Sequence, residues 1–497
     1  MTTETPSIPT AGVKVAESLR DKVRLGLIWS AIQSWTFRLS SLGVFMVLAR
    51  VLSPAEIGLY AMTTVILTFL SMLAEQGLSE AVVQRETITP QQMNTVFWLN
   101  ISVAIFLTIS VCLLAPFIAS FMKQPELTRI LQVSALVLPI SAASFGQLAM
   151  RRRALDYKRI ATATLASTFV GSAAVIAMVL AGFGVWSLVF QAIIGAVTFT
   201  LCLWFRPAWR LTRATDIRGL RPLIGYSSSR LSTYVLDFAN NRYIEVFLAA
   251  TLGPAALAVY TVGLKFYQAL MQMFSSTILD VAHSSFSRLS QDRPALISAY
   301  YKSVAITATV AVPIFCMVAA LAPSITIVLF GEKWIASAEV MRWTALLGAI
   351  QVMQFYNGTV YNAIGKPSIG LKFMVVKIIL TFSTLTYFRD GEMTQLLYAY
   401  ILSQLAITPA SFYVLQVLVG ISLIELWRRI QAMIFGCIAM MAIAMSAYHF
   451  LQGQQFPEIF KLIICSAAGG VGYIAFLFLF ARQQLVEVFR LLRSRKS

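Results

Sequence analysis

Fourteen apolar runs, each 20 to 30 residues long, fill this chain almost end to end. They cover residues 25–52, 55–78, 92–121, 127–150, 160–182, 183–204, 223–252, 255–281, 303–330, 335–364, 369–388, 395–419, 430–451 and 458–481. Such a run is what an α-helix needs to cross the hydrocarbon core of a bilayer. Helices and closed barrels are the only structures that cross with every backbone polar group hydrogen-bonded. Soluble domains hold about a quarter charged residues; here 12% are charged and 58% are hydrophobic. The chain has too little polar surface to cover a water-facing globule. The expected fold class is an all-α polytopic membrane protein of about 14 transmembrane helices.

The segments between the runs alternate in charge. One set holds most of the Lys and Arg: "RRRALDYKR" (151–159), "RPAWRLTRATDIRGLRP" (206–222), "SFSRLSQDR" (285–293), "GKP" (365–367), "WRR" (427–429) and "RQQLVEVFRLLRSRKS" (482–497). The opposite set holds Arg50, Lys123, Lys333 and Arg389, together with Glu56, Glu126, Glu332, Asp390, Glu392 and Glu458. The positive-inside rule then places both termini in the cytoplasm. A net charge of +18 distributed in this way reflects topology and anionic lipid headgroups, not nucleic acid. Residues 1–24 are polar and basic with no apolar core, so no cleavable signal is expected there. The five cysteines lie inside apolar runs and suggest neither a disulfide framework nor a metal site.

A corner is written twice. "LARVLSPAEIGLYAM" (48–62) aligns without a gap with "LAATLGPAALAVYTV" (248–262), sharing Leu48/Leu248, Ala49/Ala249, Leu52/Leu252, Pro54/Pro254, Ala55/Ala255 and Tyr60/Tyr260. Proline is suited to the first turn of a helix, where its missing N–H has no intrahelical partner to lose. The corner joins expected spans 1 and 2, and again spans 7 and 8. An even separation gives both copies the same orientation, as in parallel repeats related by an axis along the membrane normal. The expected organisation is a cytoplasmic segment 1–24, an N-lobe 25–204 of six helices and a basic linker 205–222. A C-lobe 223–419 of six helices, a helix pair 420–481 and a basic tail 482–497 complete it. Two such pseudo-symmetric lobes around a central cleft are a transporter plan.

"VLARVLSPAEIGLYAMTTVILTFLSMLAEQGLSEAVVQRE" (47–86) resembles the N-terminal signature of the Wzx-type polysaccharide flippases, of the superfamily that also holds the lipid II flippases and the MATE exporters. "FGQLAMRRRALDYKR" (145–159) and "LAATLGPAALAVYTVGLKF" (248–266) resemble its basic loop and second corner, and the resemblance spans roughly residues 20–420. "NNRYIEVFLA" departs from the family's small-residue step before that corner, which bears on substrate type and not on fold. The resemblance implies transfer of undecaprenyl-diphosphate-linked oligosaccharide from the cytoplasmic to the periplasmic leaflet of the bacterial inner membrane. It implies alternating access driven by an ion gradient, with a polysaccharide polymerase and a chain-length regulator as further partners. A drug or cation exporter, or a membrane-embedded polymerase, is the alternative.

Ionisable residues inside apolar runs narrow the search, because a charge at mid-bilayer costs at least about 2.5–3.5 kcal/mol and marks a wet site or a partner. Arg38, Arg242 and Lys265 fall near mid-depth, and Arg342 and Lys377 lie in spans 10 and 11. For a diphosphate cargo these five cations are the candidate binding residues, arginine being able to clasp phosphate oxygens through two bonds. Asp237, Asn241 and Glu245 recur every fourth residue on one helical face, with Arg242 three residues from Glu245. Asp237, Glu245, Glu75 and Asp280 are the candidates for ion coupling. The competing expectation is that these charges pair with one another and hold helices together. No cofactor is expected: the chain holds no G-x-x-x-x-G-K-[ST] and no D-x-D.

Overall fold

The computed structural model describes residues 11–75, 82, 88–212, 216 and 221–482, with side chains outside 11–28, 30–31, 221–233, 276–281 and 283–284. The described residues form helices and no strand. They divide into two compact units, Met1–Phe238 and Ala239–Ser497.

The first unit holds α1 (Ala11–Val51), α2 (Pro54–Glu75), α3 (Pro90–Phe121), α4 (Leu127–Ser134), α5 (Val137–Arg153), α6 (Tyr157–Leu180) and α7 (Trp186–Trp204). α8 (Arg221–Thr251) begins in the first unit and ends in the second. The second unit continues with α9 (Pro254–Arg288), α10 (Arg293–Ala320), α11 (Ala322–Phe330), α12 (Ser337–Ala363), α13 (Ser368–Tyr387), α14 (Met393–Val419), α15 (Leu423–Gln452) and α16 (Glu458–Phe480). Each expected apolar run coincides with a helix, and two runs are broken. Run 127–150 becomes α4 and α5, parting at Ala135. Run 303–330 becomes α10 and α11, parting at Leu321 where Pro323 starts the second piece. Ten helical segments are long and apolar enough to cross a membrane. α1, α8, α9 and α12 are long enough, at 41, 31, 35 and 27 residues, but they fall outside that set. They carry most of the ionisable residues singled out above.

Both copies of the repeated corner are helix end, turn and helix start. Leu52 N–H bonds the Leu48 carbonyl at 2.8 Å, and Leu252 N–H bonds the Leu248 carbonyl at 2.9 Å. Pro54 opens α2, and Pro254 opens α9. The turns are closed differently. Ser53 Oγ donates to Glu56 at 2.8 Å and accepts from the Glu56 N–H at 3.3 Å. The second copy has Gly253 at φ +81°, a conformation that a side chain would strain.

In the first unit α1 packs along α6, and α3, α5 and α7 pack together. The segment after α7 folds back over this group. Trp209, 7% exposed, joins Val82, Met93, Val96, Phe97, Phe145 and Ala149 in one apolar cluster. Gln147 fixes the strap, donating to the Trp209 carbonyl at 2.7 Å and accepting from the Ala208 N–H at 2.8 Å. Arg151, 3% exposed, pairs with Asp156 at 2.9 Å and donates to the Leu203 and Arg206 carbonyls. In the second unit α12 is the hub, contacting α9, α10, α11 and α14. α9 reaches it closely because Gly263 has no side chain: a Cβ there would lie 2.6 Å from Val340 Cβ and 2.7 Å from the Ser337 carbonyl oxygen.

Trp209→Ala empties the centre of the strap and is expected to cost about 3–5 kcal/mol, the range for buried Trp truncation. Thermal unfolding of the detergent-purified protein measures it. A transition at the wild-type temperature would mean that the strap does not stabilise the fold.

Candidate functional site

The second unit brings three expected residues together. Arg242 Nη1 donates to both oxygens of Glu245 at 2.8 Å. They stand three apart on α8, one helical turn, so the helix itself sets the geometry. The partners are unequally exposed: the Arg242 side chain is 33% accessible and that of Glu245 is 8%. Lys265 on α9, half-buried, lies close enough for its charge to act on the same carboxylate. At about 1.5 Å per residue, Arg242 is about 14 Å from the Thr251 end of α8 and Lys265 about 17 Å from the Pro254 start of α9. Both depths are near half of a hydrocarbon core about 30 Å thick.

Around the carboxylate the lining is apolar, with Ile244, Leu248, Leu264 and Leu396 in one buried cluster. Two tyrosines interrupt it. Tyr260, 1% exposed, stands near Tyr400 of α14, and both lie close enough to Glu245 for its charge to act on them. Low dielectric strengthens every charge interaction here, and an anion that reached Arg242 would meet two cations with little competing water.

Deeper along α12 the polar groups form interhelical hydrogen bonds. Tyr267 donates to Gln351 at 2.5 Å, Gln354 to Thr408 at 2.9 Å, Tyr300 to Asn357 at 2.8 Å, and Asn357 to Ser411 at 2.9 Å. Each such bond inside a membrane is worth about 0.6–2 kcal/mol. Together they tie α9, α10 and α14 to α12.

The other expected residues are placed separately. Arg342 lies 3.5 Å from Glu339. Glu339 also accepts from Trp343 Nε1 at 2.7 Å and from the Tyr398 hydroxyl at 3.0 Å, so Arg342 belongs to a carboxylate-centred group between α12 and α14. Lys377, half-buried at the middle of α13, stands one turn before Thr381, whose hydroxyl lies 3.0 Å from Ser403 Oγ. Arg38 is half-buried on α1, and neither it nor Lys377 has an ion-pair partner among the described residues. Glu75, exposed at the end of α2, lines a cavity of about 230 Å³ with Ser71, Asn100, Ser144 and Arg152. Asp237 and Asn241 share a helical face with Glu245 but are exposed where Glu245 is buried. The side chain of Asp280 lies outside the described residues. Sequence reasoning missed Tyr400 and the Glu339–Trp343–Tyr398 group. Tyr260 was visible as an identity of the repeat, and Glu339 three residues before Arg342 was a legible pairing signal.

A bundle of long apolar helices with a compensated charge cluster near mid-depth is the architecture of a membrane transporter, and the fold has a solved counterpart. The lipid II flippase MurJ in an inward closed conformation superposes with a TM-score of 0.75 at 12% identity, over 92% of this chain and 100% of that one. Residues 47–339 match the model of the polysaccharide biosynthesis protein family, and the chain belongs to that family. The succinoglycan biosynthesis transport protein ExoT of Rhizobium meliloti (strain 1021) is 22% identical over 472 residues, 94% of this chain and 95% of that protein. The lipopolysaccharide biosynthesis protein WzxC of Escherichia coli (strain K12) is 22% identical over 369 residues, 73% of this chain and 74% of that protein.

Removing Arg242 strands a buried carboxylate. Arg242→Gln is expected to cost about 3–5 kcal/mol, and the double variant R242Q/E245Q to recover much of it, because no uncompensated charge then remains. Unfolding midpoints of the three proteins in detergent measure this. Equal losses in the single and double variants would show that the carboxylate left behind by R242Q costs the fold nothing.

Proposed function

We propose that this chain is a transporter, not an enzyme, that moves an oligosaccharide linked to undecaprenyl diphosphate across the bacterial inner membrane. The observation that carries the reading is the pair of cations, Arg242 and Lys265, set at mid-depth in otherwise apolar helices of a polysaccharide biosynthesis family member. A diphosphate is a compact anion of fixed charge, and a guanidinium with N–H donors beyond the one used by Glu245 can take its oxygens. Its sugars bring hydroxyls, which exposed Asn241, Asp237 and the Arg342–Glu339 group can meet. Arg38 and Lys377 are proposed as further contacts for the anionic headgroup along its route. Four helices that fall outside the most apolar set, α1, α8, α9 and α12, are proposed to complete fourteen crossings, with both termini on the cytoplasmic side. The cycle exposes the charged site to one side and then the other, powered by an ion gradient. A polymerase and a chain-length regulator take the product onward.

A cationic cargo would need an acidic site with charge to spare. Glu245 is already bound by Arg242, so the exporter reading has no such group in this cluster.

Deletion of the gene is expected to leave complete lipid-linked repeat units on the cytoplasmic leaflet and no surface polymer. R242Q and Lys265→Gln chains at normal membrane levels are expected to reproduce that loss, detected by extracting the lipid-linked sugars and probing their sidedness. Repeat units already on the outer leaflet but unpolymerised would overturn the proposal in favour of a polymerase.

A further inference from the structure

The first unit holds a cavity of about 230 Å³ among α2, α3, α5 and α7, which the binding of a diphosphate leaves unused. At about 30 Å³ for each water of the liquid it has room for about eight. That is the bulk of a single sugar ring and much less than an oligosaccharide repeat.

Its lining mixes hydrogen-bonding side chains with aromatic ones. Asn100 lines the cavity and is 1% exposed. Its Nδ2 donates to the Ala74 carbonyl at 2.9 Å, which fixes the side chain, while Oδ1 takes no hydrogen bond from the described residues. Buried amide oxygens nearly always have a partner, so the donor has to come from within the cavity. Ser71 on α2 is in a similar position. Thr63, Thr64 and Thr68 each turn their hydroxyls back onto a carbonyl of their own helix, at 2.7–2.9 Å. Ser71 lines the cavity and makes no such bond, nor any other among the described residues. Ser144 Oγ gives its proton to the Ser141 carbonyl at 2.8 Å and keeps its lone pairs for an incoming hydroxyl.

Among the described lining residues Glu75 and Arg152 are the charged ones, one of each sign and both exposed. A carboxylate accepts several hydrogen bonds and a guanidinium donates five, so each has capacity beyond a single partner. Phe145, 5% exposed, and half-buried Phe199 add an apolar wall. A phosphate entering here would meet Glu75, and a metal cation would meet Arg152. An apolar ligand would leave Asn100 unpaired. A neutral sugar meets none of these penalties, because it carries hydroxyls around its rim and C–H groups on its faces.

We propose that this cavity binds one neutral hexose ring, its hydroxyls bonded by Asn100, Ser71, Ser144, Glu75 and Arg152 and its C–H face against the two phenylalanines. That the hexose belongs to the lipid-linked cargo rests on the reading just given; the site itself does not. The cavity lies toward the ends of α2 and α5, beside the basic segment 151–159. That is the side proposed to face the cytoplasm, where a cargo assembled there arrives. Selection is then local: one sugar of the repeat is read and the others are not.

The test uses the full chain in nanodiscs and the methyl glycosides of glucose, galactose and mannose as probes, read by saturation-transfer NMR. The expected result is binding of at least one of them to wild type. Ser71→Ala, which removes a single hydrogen bond, is expected to weaken that binding about threefold to tenfold. Ser71→Leu, which fills the cavity, is expected to abolish it, and S71A keeps the test open if the larger leucine unfolds the chain. Binding of none of the glycosides, or binding undiminished in S71A, overturns the inference. Competition assigns the source: a polyprenyl diphosphoryl hexose carrying the favoured sugar is expected to displace the methyl glycoside. Failure to displace it overturns the assignment to the cargo. The diphosphate reading fails separately, when polyprenyl diphosphate without a sugar does not bind; glycoside binding in that same chain leaves the cavity standing.

Discussion

A carboxylate almost sealed among apolar helices has to be compensated, and the second unit is arranged around that requirement. Glu245 is 6% exposed, with Ile244 and Leu248 of the same helix buried around it. A lone ion there would cost several kcal/mol. The compensation is local in sequence, one helical turn away at Arg242, so it needs no long-range folding event to form. What it does need is the burial. Tyr243 sets its ring 5.2 Å from Phe382 of α13, and the buried Leu385, Leu396 and Leu397 of α13 and α14 share the cluster. Apolar packing thus creates the low dielectric that gives the ion pair its strength and its cost.

The same unit treats its neutral polar groups differently. Tyr300, Asn357, Ser411, Thr307 and Tyr356 are buried and hydrogen-bonded to one another across helices. Among the described residues, only Ser134 Oγ, Arg151 Nε, Trp209 Nε1 and Ser337 Oγ are buried side-chain polar atoms without a partner. A satisfied network of this kind holds helices in one register. Along α12 the two kinds of group are separated by position: the ion pair of Glu339 and Arg342 sits in its first turns, and the hydrogen-bonding amides and hydroxyls from Gln351 to Asn357 follow further along.

Much of this was legible before any coordinates. Apolar run length located the helices, because in a bilayer the backbone has almost no alternative to a helix. The i, i+3 spacing of Arg242 and Glu245 announced the pair for the same reason. Breaks inside apolar runs were only half legible: Pro139 and Pro323 lie in the first turns of α5 and α11, but Pro116, Pro313 and Pro409 sit inside unbroken helices, so a proline alone does not locate a break. Partners from distant segments were hidden as well. Tyr400 meets Tyr260 across 140 positions of sequence, and Tyr398 meets Glu339 across 59, distances over which pattern carries no register. The strap around Trp209 was hidden because a basic segment between apolar runs looks like plain linker, although Gln147 and Arg151 are buried to hold it.

The repeated corner has diverged in what it tolerates. At the first copy a serine side chain closes the turn through Glu56, and several small polar residues can do that work. At the second copy the backbone itself is turned into a conformation that glycine adopts freely, and no side chain takes the place of that freedom. Two corners alike in sequence are thus unequal targets for mutation: substitution is cheap at position 53 and expensive at position 253, an asymmetry written by φ angles and not by function.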